Sequence, residues 1–89
     1  MDIRKRLNKV AERLTDDQEG EIDVVNTLML IMFGRESENL PKIFTVECFM
    51  DQDTLDTFLR EDLCLDVKSI YLHTGSIFFG KPRYEIELE

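Results

Sequence analysis

The sequence predicts a small α+β domain with two helices and four strands, in the order αββαββ. Apolar residues recur at helical spacing near the start and in the middle of the chain, and they alternate with polar residues in several short segments. Two successive αββ units favour a four-stranded, mainly antiparallel sheet with both helices on one face. At 89 residues the chain has room for one core, so residues 1–89 are expected to form a single domain.

The first predicted helix covers residues 1–14, and Asp2 can cap its start. Apolar residues recur along it at intervals of three and four, which places them on one narrow stripe. Basic residues fill the other faces. The stripe is a candidate interface for a partner chain, and it consists of Ile3, Leu7, Val10 and Leu14.

Residues 24–33 are apolar along almost their whole length, so periodicity does not separate a buried strand from a helix. Their β-branched residues favour a strand. A strand also agrees with the polar segment 34–41, which we interpret as a hairpin loop, and with the alternating segment 44–50. The alternative is a helix over residues 24–33, which changes the order to ααβαββ.

The second predicted helix begins after Asp51 or Asp53, because either carboxylate can cap a first turn. Its buried face is expected to contain Leu55, Phe58, Leu59 and Leu63.

Two strands are predicted to complete the sheet. The first covers residues 67–73 and turns at residues 74–76 into 77–79, and the last covers residues 84–89. Pro82 has no N–H to donate to a sheet, so we expect the last strand to lie at an edge or to begin with a bulge.

Charge is segregated along the chain, which has a net charge of −8. Residues 1–14 carry +3, residues 15–66 carry −11, and residues 67–89 are neutral. A field of one sign selects partners of the opposite sign and does not determine the fold. We therefore expect a partner with a basic surface.

Twelve carboxylates are the candidate contributors to an acidic, partner-binding face. They are Asp16, Asp17, Glu19, Glu21, Asp23, Glu36, Glu38, Asp53, Asp56, Glu61, Asp62 and Asp66.

The sequence contains no motif that specifies a reaction or a cofactor. His73 is the single histidine, and its spacing from Cys48 and Cys64 predicts neither a nucleophile–base pair nor a zinc site. Residues 15–26 resemble a calcium-binding loop at Gly20 but lack carboxylates at its first and last positions. We predict no catalytic residue, no metal and no cofactor, and hence no enzyme activity.

The leading functional expectation is a binding protein whose acidic face engages a basic protein, as inhibitors and immunity-type proteins of nucleases do. The alternative is a self-associating or regulatory subunit whose N-terminal helix docks on a second chain. Direct binding of nucleic acid is disfavoured by the charge, and no segment predicts a membrane span. Both cysteines are expected to be reduced core thiols in a cytoplasmic protein.

Overall fold

The structure is a computed structural model that describes residues 3–34, 39–73 and 80–89. Three α-helices, one π turn and three β-strands lie in these ranges, so the domain belongs to the α+β class. In chain order they are α1 (Ile3–Arg13), α2 (Glu19–Phe33), β1 (Ile43–Glu47), α3 (Gln52–Thr57), the π turn (Phe58–Asp62), β2 (Val67–His73) and β3 (Arg83–Leu88).

The sheet is antiparallel throughout, with the strand order β1-β3-β2. Ile86 of β3 lies opposite Phe44 of β1 on one side and Ile70 of β2 on the other. The expected edge position of the last strand is therefore wrong, because β3 is the central strand. Pro82 precedes the strand, and its carbonyl oxygen accepts a hydrogen bond from the Cys48 N–H at 3.1 Å.

The two faces of the sheet have opposite characters, as expected for antiparallel strands covered on one side. Phe44, Tyr84 and Ile86 point into the core and are at most 5% exposed. The other face, which we call the open face, carries mostly polar and charged side chains, and the Arg83 guanidinium pairs there with Glu47 at 2.6 Å. The helices supply the other half of the core.

The predicted four-stranded sheet with two helices is wrong, and residues 24–33 are the reason. These residues belong to α2, which begins at Glu19 and runs for 15 residues. The β-branched residues that favoured a strand fit a helix here because tertiary packing outweighs their weak preference. Four apolar side chains lie on one helical face and are at most 2% exposed, namely Val24, Val25, Leu28 and Met32. The helical alternative is the arrangement that the structure has.

The second predicted helix is confirmed, and it ends in a π turn that the sequence did not predict. Asp51 caps α3, since its Oδ1 accepts a hydrogen bond from the Thr54 N–H at 2.7 Å. The chain then continues into the π turn, in which the Leu63 N–H donates to the Phe58 carbonyl at 3.1 Å. The predicted buried face of Leu55, Phe58, Leu59 and Leu63 is at most 4% exposed.

The apolar stripe of α1 contributes to the same core. Ile3, Leu7 and Val10 are at most 7% exposed, and Leu14 packs at the margin of the core. The stripe is thus covered by its own chain.

Several predicted features lie outside the described residues: the cap at Asp2, residues 35–38 of the loop 34–41, the turn at 74–76 and the strand segment 77–79. Within the part of the chain that is described, no helix is long and apolar enough to cross a bilayer.

Candidate functional site

Three of the twelve predicted carboxylates line one cleft, which we call the acidic cleft. It has a volume of about 340 Å³ and lies between the start of α2 and the α3–π turn segment. Glu21 comes from α2, Asp53 from α3 and Asp62 from the π turn, so the chain brings together residues that are far apart in sequence. Polar side chains and one apolar side chain complete the lining, namely Gln18, Thr54, Thr57 and Phe58.

Gly20 allows α2 to approach the segment that leads into α3. A Cβ atom at this position would overlap the Met50 Cγ and would lie 3.1 Å from the Phe49 carbonyl oxygen. Gly20 is buried in the first turn of α2, although the sequence predicted it as a turn residue in a polar connection. Its close packing places the neighbouring Glu21 beside α3.

The Asp51 cap fixes the other wall of the cleft. Hydrogen bonds from the Thr54 backbone N–H and hydroxyl hold the pKa of Asp51 below its usual range, because they stabilise the charged carboxylate. Asp53 follows in the first turn of α3, where a negative charge also suits the helix dipole.

Phe58 anchors the cleft to the core. Its side chain is 4% exposed and lies where α3 passes into the π turn. The wide turn then carries the chain to Asp62, which is exposed at the rim of the cleft.

The carboxylates of the cleft lack basic partners within the described ranges, where no Lys, Arg or His forms an ion pair with Glu21, Asp53 or Asp62. Two other predicted acids are paired. Asp56 contacts the Arg60 Nε at 2.7 Å, and Asp23 contacts the Lys81 Nζ at 2.8 Å. Within the described residues, the negative charge of the acidic cleft is therefore not offset by an ion pair.

The remaining predicted acids are not brought into the acidic cleft. Asp16, Asp17 and Glu19 are exposed around the start of α2, and Asp17 accepts a hydrogen bond from the Thr15 hydroxyl. Glu61 is exposed on the π turn, and Asp66 lines a different cleft that also contains Arg6. Glu36 and Glu38 lie outside the described residues.

The cysteines differ in their surroundings. Cys48 is fully buried, as predicted, and burial together with the negative charge of Asp23 raises the pKa of its thiol to about 11. A thiol held in the neutral form is a poor nucleophile. Cys64 is exposed, so its expected place in the core is wrong; it lies two residues after the π turn and has a φ of 55°.

His73 lies on the open face of the sheet, where its Nε2 is 3.7 Å from the Glu85 Oε1. Its ring packs edge-on against Tyr71 at a centroid distance of 5.1 Å. His73 is thus placed on the outer side of the sheet, whereas Cys48 lies in the core.

Sequence inspection missed the uncharged lining of the acidic cleft. Thr54 follows the capping candidate Asp53, Thr57 lies about one turn further along the chain, and no pattern distinguishes them from other exposed helical residues. The exposed apolar end of α2 was also missed, because residues 24–33 were expected to be a buried strand. The apolar character of almost all of those residues was the signal that could have revealed it.

The donor set of the cleft does not form a metal centre. Among the described residues, no three His, Cys, Asp or Glu side chains are arranged so that they could hold a metal ion. Comparisons of the chain with protein-family models, with curated proteins and with solved structures gave no match.

Proposed function

We propose that the protein binds a basic surface of another protein through the acidic cleft, without catalysing a reaction. The observation that carries this proposal is the convergence of Glu21, Asp53 and Asp62 on one concave surface. Such a surface suits a Lys or Arg side chain inserted from a partner, because charge-assisted hydrogen bonds to carboxylates are strong and directional.

The polar lining favours a protein partner over a small apolar ligand. Binding sites for small molecules are mostly apolar with a few polar groups, whereas three carboxylates and three uncharged polar side chains line this cleft. The exposed acids Asp16, Asp17 and Glu19 at the start of α2 extend the negative potential beyond the cleft. Complementary charge would accelerate association and make it sensitive to salt.

A basic partner of this kind is a protein that itself binds nucleic acid, such as a nuclease. Its active surface must attract phosphates, and a dense set of carboxylates competes for the same surface. The proposed consequence is inhibition, in the manner of an immunity-type protein.

The alternative, a subunit whose α1 stripe docks on a second chain, has less support. Ile3, Leu7 and Val10 are at most 7% exposed in the core of their own chain, so docking through them would require α1 to detach.

The proposal is tested with two variants that remove the same number of charges. The cleft variant carries Glu21→Gln, Asp53→Asn and Asp62→Asn. The control variant neutralises three acids that lie away from the cleft, Glu12→Gln, Glu85→Gln and Glu89→Gln.

Each tagged protein is used to retain partners from a lysate of the source cells, and a retained protein is then purified and titrated by calorimetry. We expect the cleft variant to weaken binding by at least about tenfold and the control variant to change it much less. Charges that contact the partner contribute more to the affinity than charges elsewhere on the surface. The purified partner's nuclease activity or DNA binding should fall when the wild-type protein is added. Equal effects of the two variants, or a partner without a basic surface, would contradict the proposal.

A further inference from the structure

The C-terminal half of α2 exposes large apolar side chains. Phe33 is 88% exposed and Leu30 is 73% exposed. Together with Asn26 and the half-buried Met29 they line a shallow hollow of about 440 Å³ on the outer side of the helix. We call these four residues the α2 face.

The α2 face continues into a groove between α1 and α2. Met29 and Phe33 line both the hollow and this groove, which has a volume of about 170 Å³. Arg4 lies at the rim of the groove, where its Nη2 donates to the Met32 carbonyl at 3.2 Å. Among the described residues, the continuous surface is therefore apolar in its centre and has one cation, Arg4, at one end.

A helix that is apolar on all sides is normally covered on all sides. Residues 24–33 contain no charged side chain, and one side of this segment is buried in the core. The opposite side is the α2 face, which is open among the described residues. Adjacent exposed apolar residues of this size are typical of a surface that binds another protein.

The distribution of charge along α2 indicates what covers this face. Copies of a chain with a net charge of −8 repel each other over most of their surfaces. The acids of α2 lie in its N-terminal third, at Glu19, Glu21 and Asp23, whereas Arg4 lies beside its C-terminal end. The helix is thus acidic at one end and bordered by a cation at the other.

We propose that the α2 face binds the α2 face of a second copy of this chain, with the two α2 helices antiparallel about a two-fold axis. Glu19, Asn26 and Phe33 are spaced by seven residues and share one side of the helix. In an antiparallel pair that crosses at Asn26, Phe33 of each copy lies near Glu19 of the other. This arrangement also places Arg4 of each copy beside the acidic end of the opposite helix.

The Arg4–Glu19 pairing can form between copies and not within one chain. Arg4 contacts the carbonyl of Met32, and 13 residues of helix separate Met32 from Glu19, a distance of about 20 Å. Because the α2 face consists of four residues, whereas a standard interface has roughly 20–30 residues on each side, we expect a dissociation constant in the micromolar range.

Sedimentation equilibrium of the full chain, at concentrations up to about 1 mM, tests the proposal. We expect a monomer–dimer equilibrium. The variant Leu30→Gln with Phe33→Gln keeps the net charge and retains good helix formers. It should weaken the dimer by at least about tenfold, because the apolar contact is lost.

Ile43→Thr is the matched control. Ile43 is 54% exposed on the open face of the sheet, and threonine is a good strand former. This variant should leave the dimer unchanged. Circular dichroism of each variant establishes that it is folded.

A charge exchange tests the antiparallel geometry. Arg4→Glu alone should weaken the dimer, and the double variant Arg4→Glu with Glu19→Arg should restore it at low salt. Failure of this restoration would overturn the antiparallel arrangement.

A wild-type chain that stays monomeric up to about 1 mM would overturn the proposal. A dimer that persists in the folded Leu30→Gln, Phe33→Gln variant, or one that Ile43→Thr dissociates, would likewise overturn it, because another surface would then hold the copies together.

Discussion

At the scale of single residues, Asp51 connects local hydrogen bonding to the shape of the acidic cleft. Its carboxylate accepts the Thr54 N–H at the start of α3, whereas Asp53, the other capping candidate in the sequence, forms part of the cleft wall. Asp51 and Asp53, which are separated by one residue, therefore have different structural roles. Spacing alone could not assign them, because both have a residue three positions ahead whose N–H is free in a first helical turn.

We expect Asp51→Ala to lower the free energy of unfolding, since it leaves the Thr54 N–H without its acceptor. Asp51→Asn should retain most of the stability, because asparagine is an equally good cap. Asp53→Ala is the matched control and should have a much smaller effect. Urea unfolding of the three variants and the wild type measures these differences.

The same hydrogen bonds predict how pH affects the difference in the free energy of unfolding between the wild type and Asp51→Ala. The folded-state pKa of Asp51 is lowered, so the stabilisation by the charged cap is fully present above the unfolded-state pKa of about 3.9. It is lost as pH falls through the lower folded-state pKa. The difference between wild type and Asp51→Ala should therefore shrink in acid, and a difference that is constant with pH would contradict this account.

At the scale of elements, the position of α2 depends on Gly20. Glycine within a helix usually costs stability relative to alanine, yet here it permits the close approach of α2 to Met50 and Phe49. A side chain at this position would push the first turn of α2 away from α3 and widen the acidic cleft.

We expect Gly20→Ala to lower the melting temperature, because the clash outweighs the gain of roughly 1 kcal/mol in helix propensity. Gly34→Ala is the matched control: its φ is −81°, and the nearest atom to the added Cβ would be 3.8 Å away. That variant should be neutral or slightly stabilising. Equal melting temperatures of the two variants would show that Gly20 is not tightly packed.

The elements differ in how well the sequence predicted them. The apolar stripe of α1 and the buried face that α3 shares with the π turn were correct, because each has a clear helical period. The strand 67–73 was also correct, although its side chains do not alternate strictly between the two faces. Residues 24–33 lack a period, since α2 is apolar on its exposed side as well. Pro82 was expected to mark an edge or a bulge of the sheet. A proline that lies just before a strand is, however, also compatible with a central position of that strand.

At the scale of the whole molecule, stability depends on one small core shared by the helices and the inner face of the sheet. Ile86 occupies its centre: it is fully buried in β3, opposite Phe44 on one side and Ile70 on the other. A domain of this size has a total stability of only about 5–10 kcal/mol. Single core residues therefore account for a large share of it.

Ile86→Ala should lower the free energy of unfolding by about 2–5 kcal/mol, because it leaves a cavity in the middle of the sheet. Glu85→Ala, the adjacent position on the open face, should change it by about 0.5 kcal/mol or less. Urea unfolding measures both. Equal losses would show that the inner face of β3 does not lie at the centre of the core.

Charge segregation was visible in the sequence, but the acidic cleft was not. Composition predicted an acidic molecule, and the structure places three of the twelve candidates, Glu21, Asp53 and Asp62, around one cleft between the start of α2 and the α3–π turn segment. That placement depends on packing between segments about 30 residues apart, which local patterns do not encode. The amphipathic helix at the start of the chain was likewise predicted from the sequence. That its apolar stripe is buried by its own chain became visible only in the three-dimensional structure.

The central position of β3 has a consequence for folding during synthesis on the ribosome. Within the described residues, β1 and β2 each pair with β3 and not with each other. Since β3 is the last of the three strands to be synthesised, no strand pair of the sheet can form while the ribosome is still making the residues before it. The two earlier strands must emerge with their backbone groups unpaired, and α1 and α2 are the parts of the chain that can associate first, through local contacts.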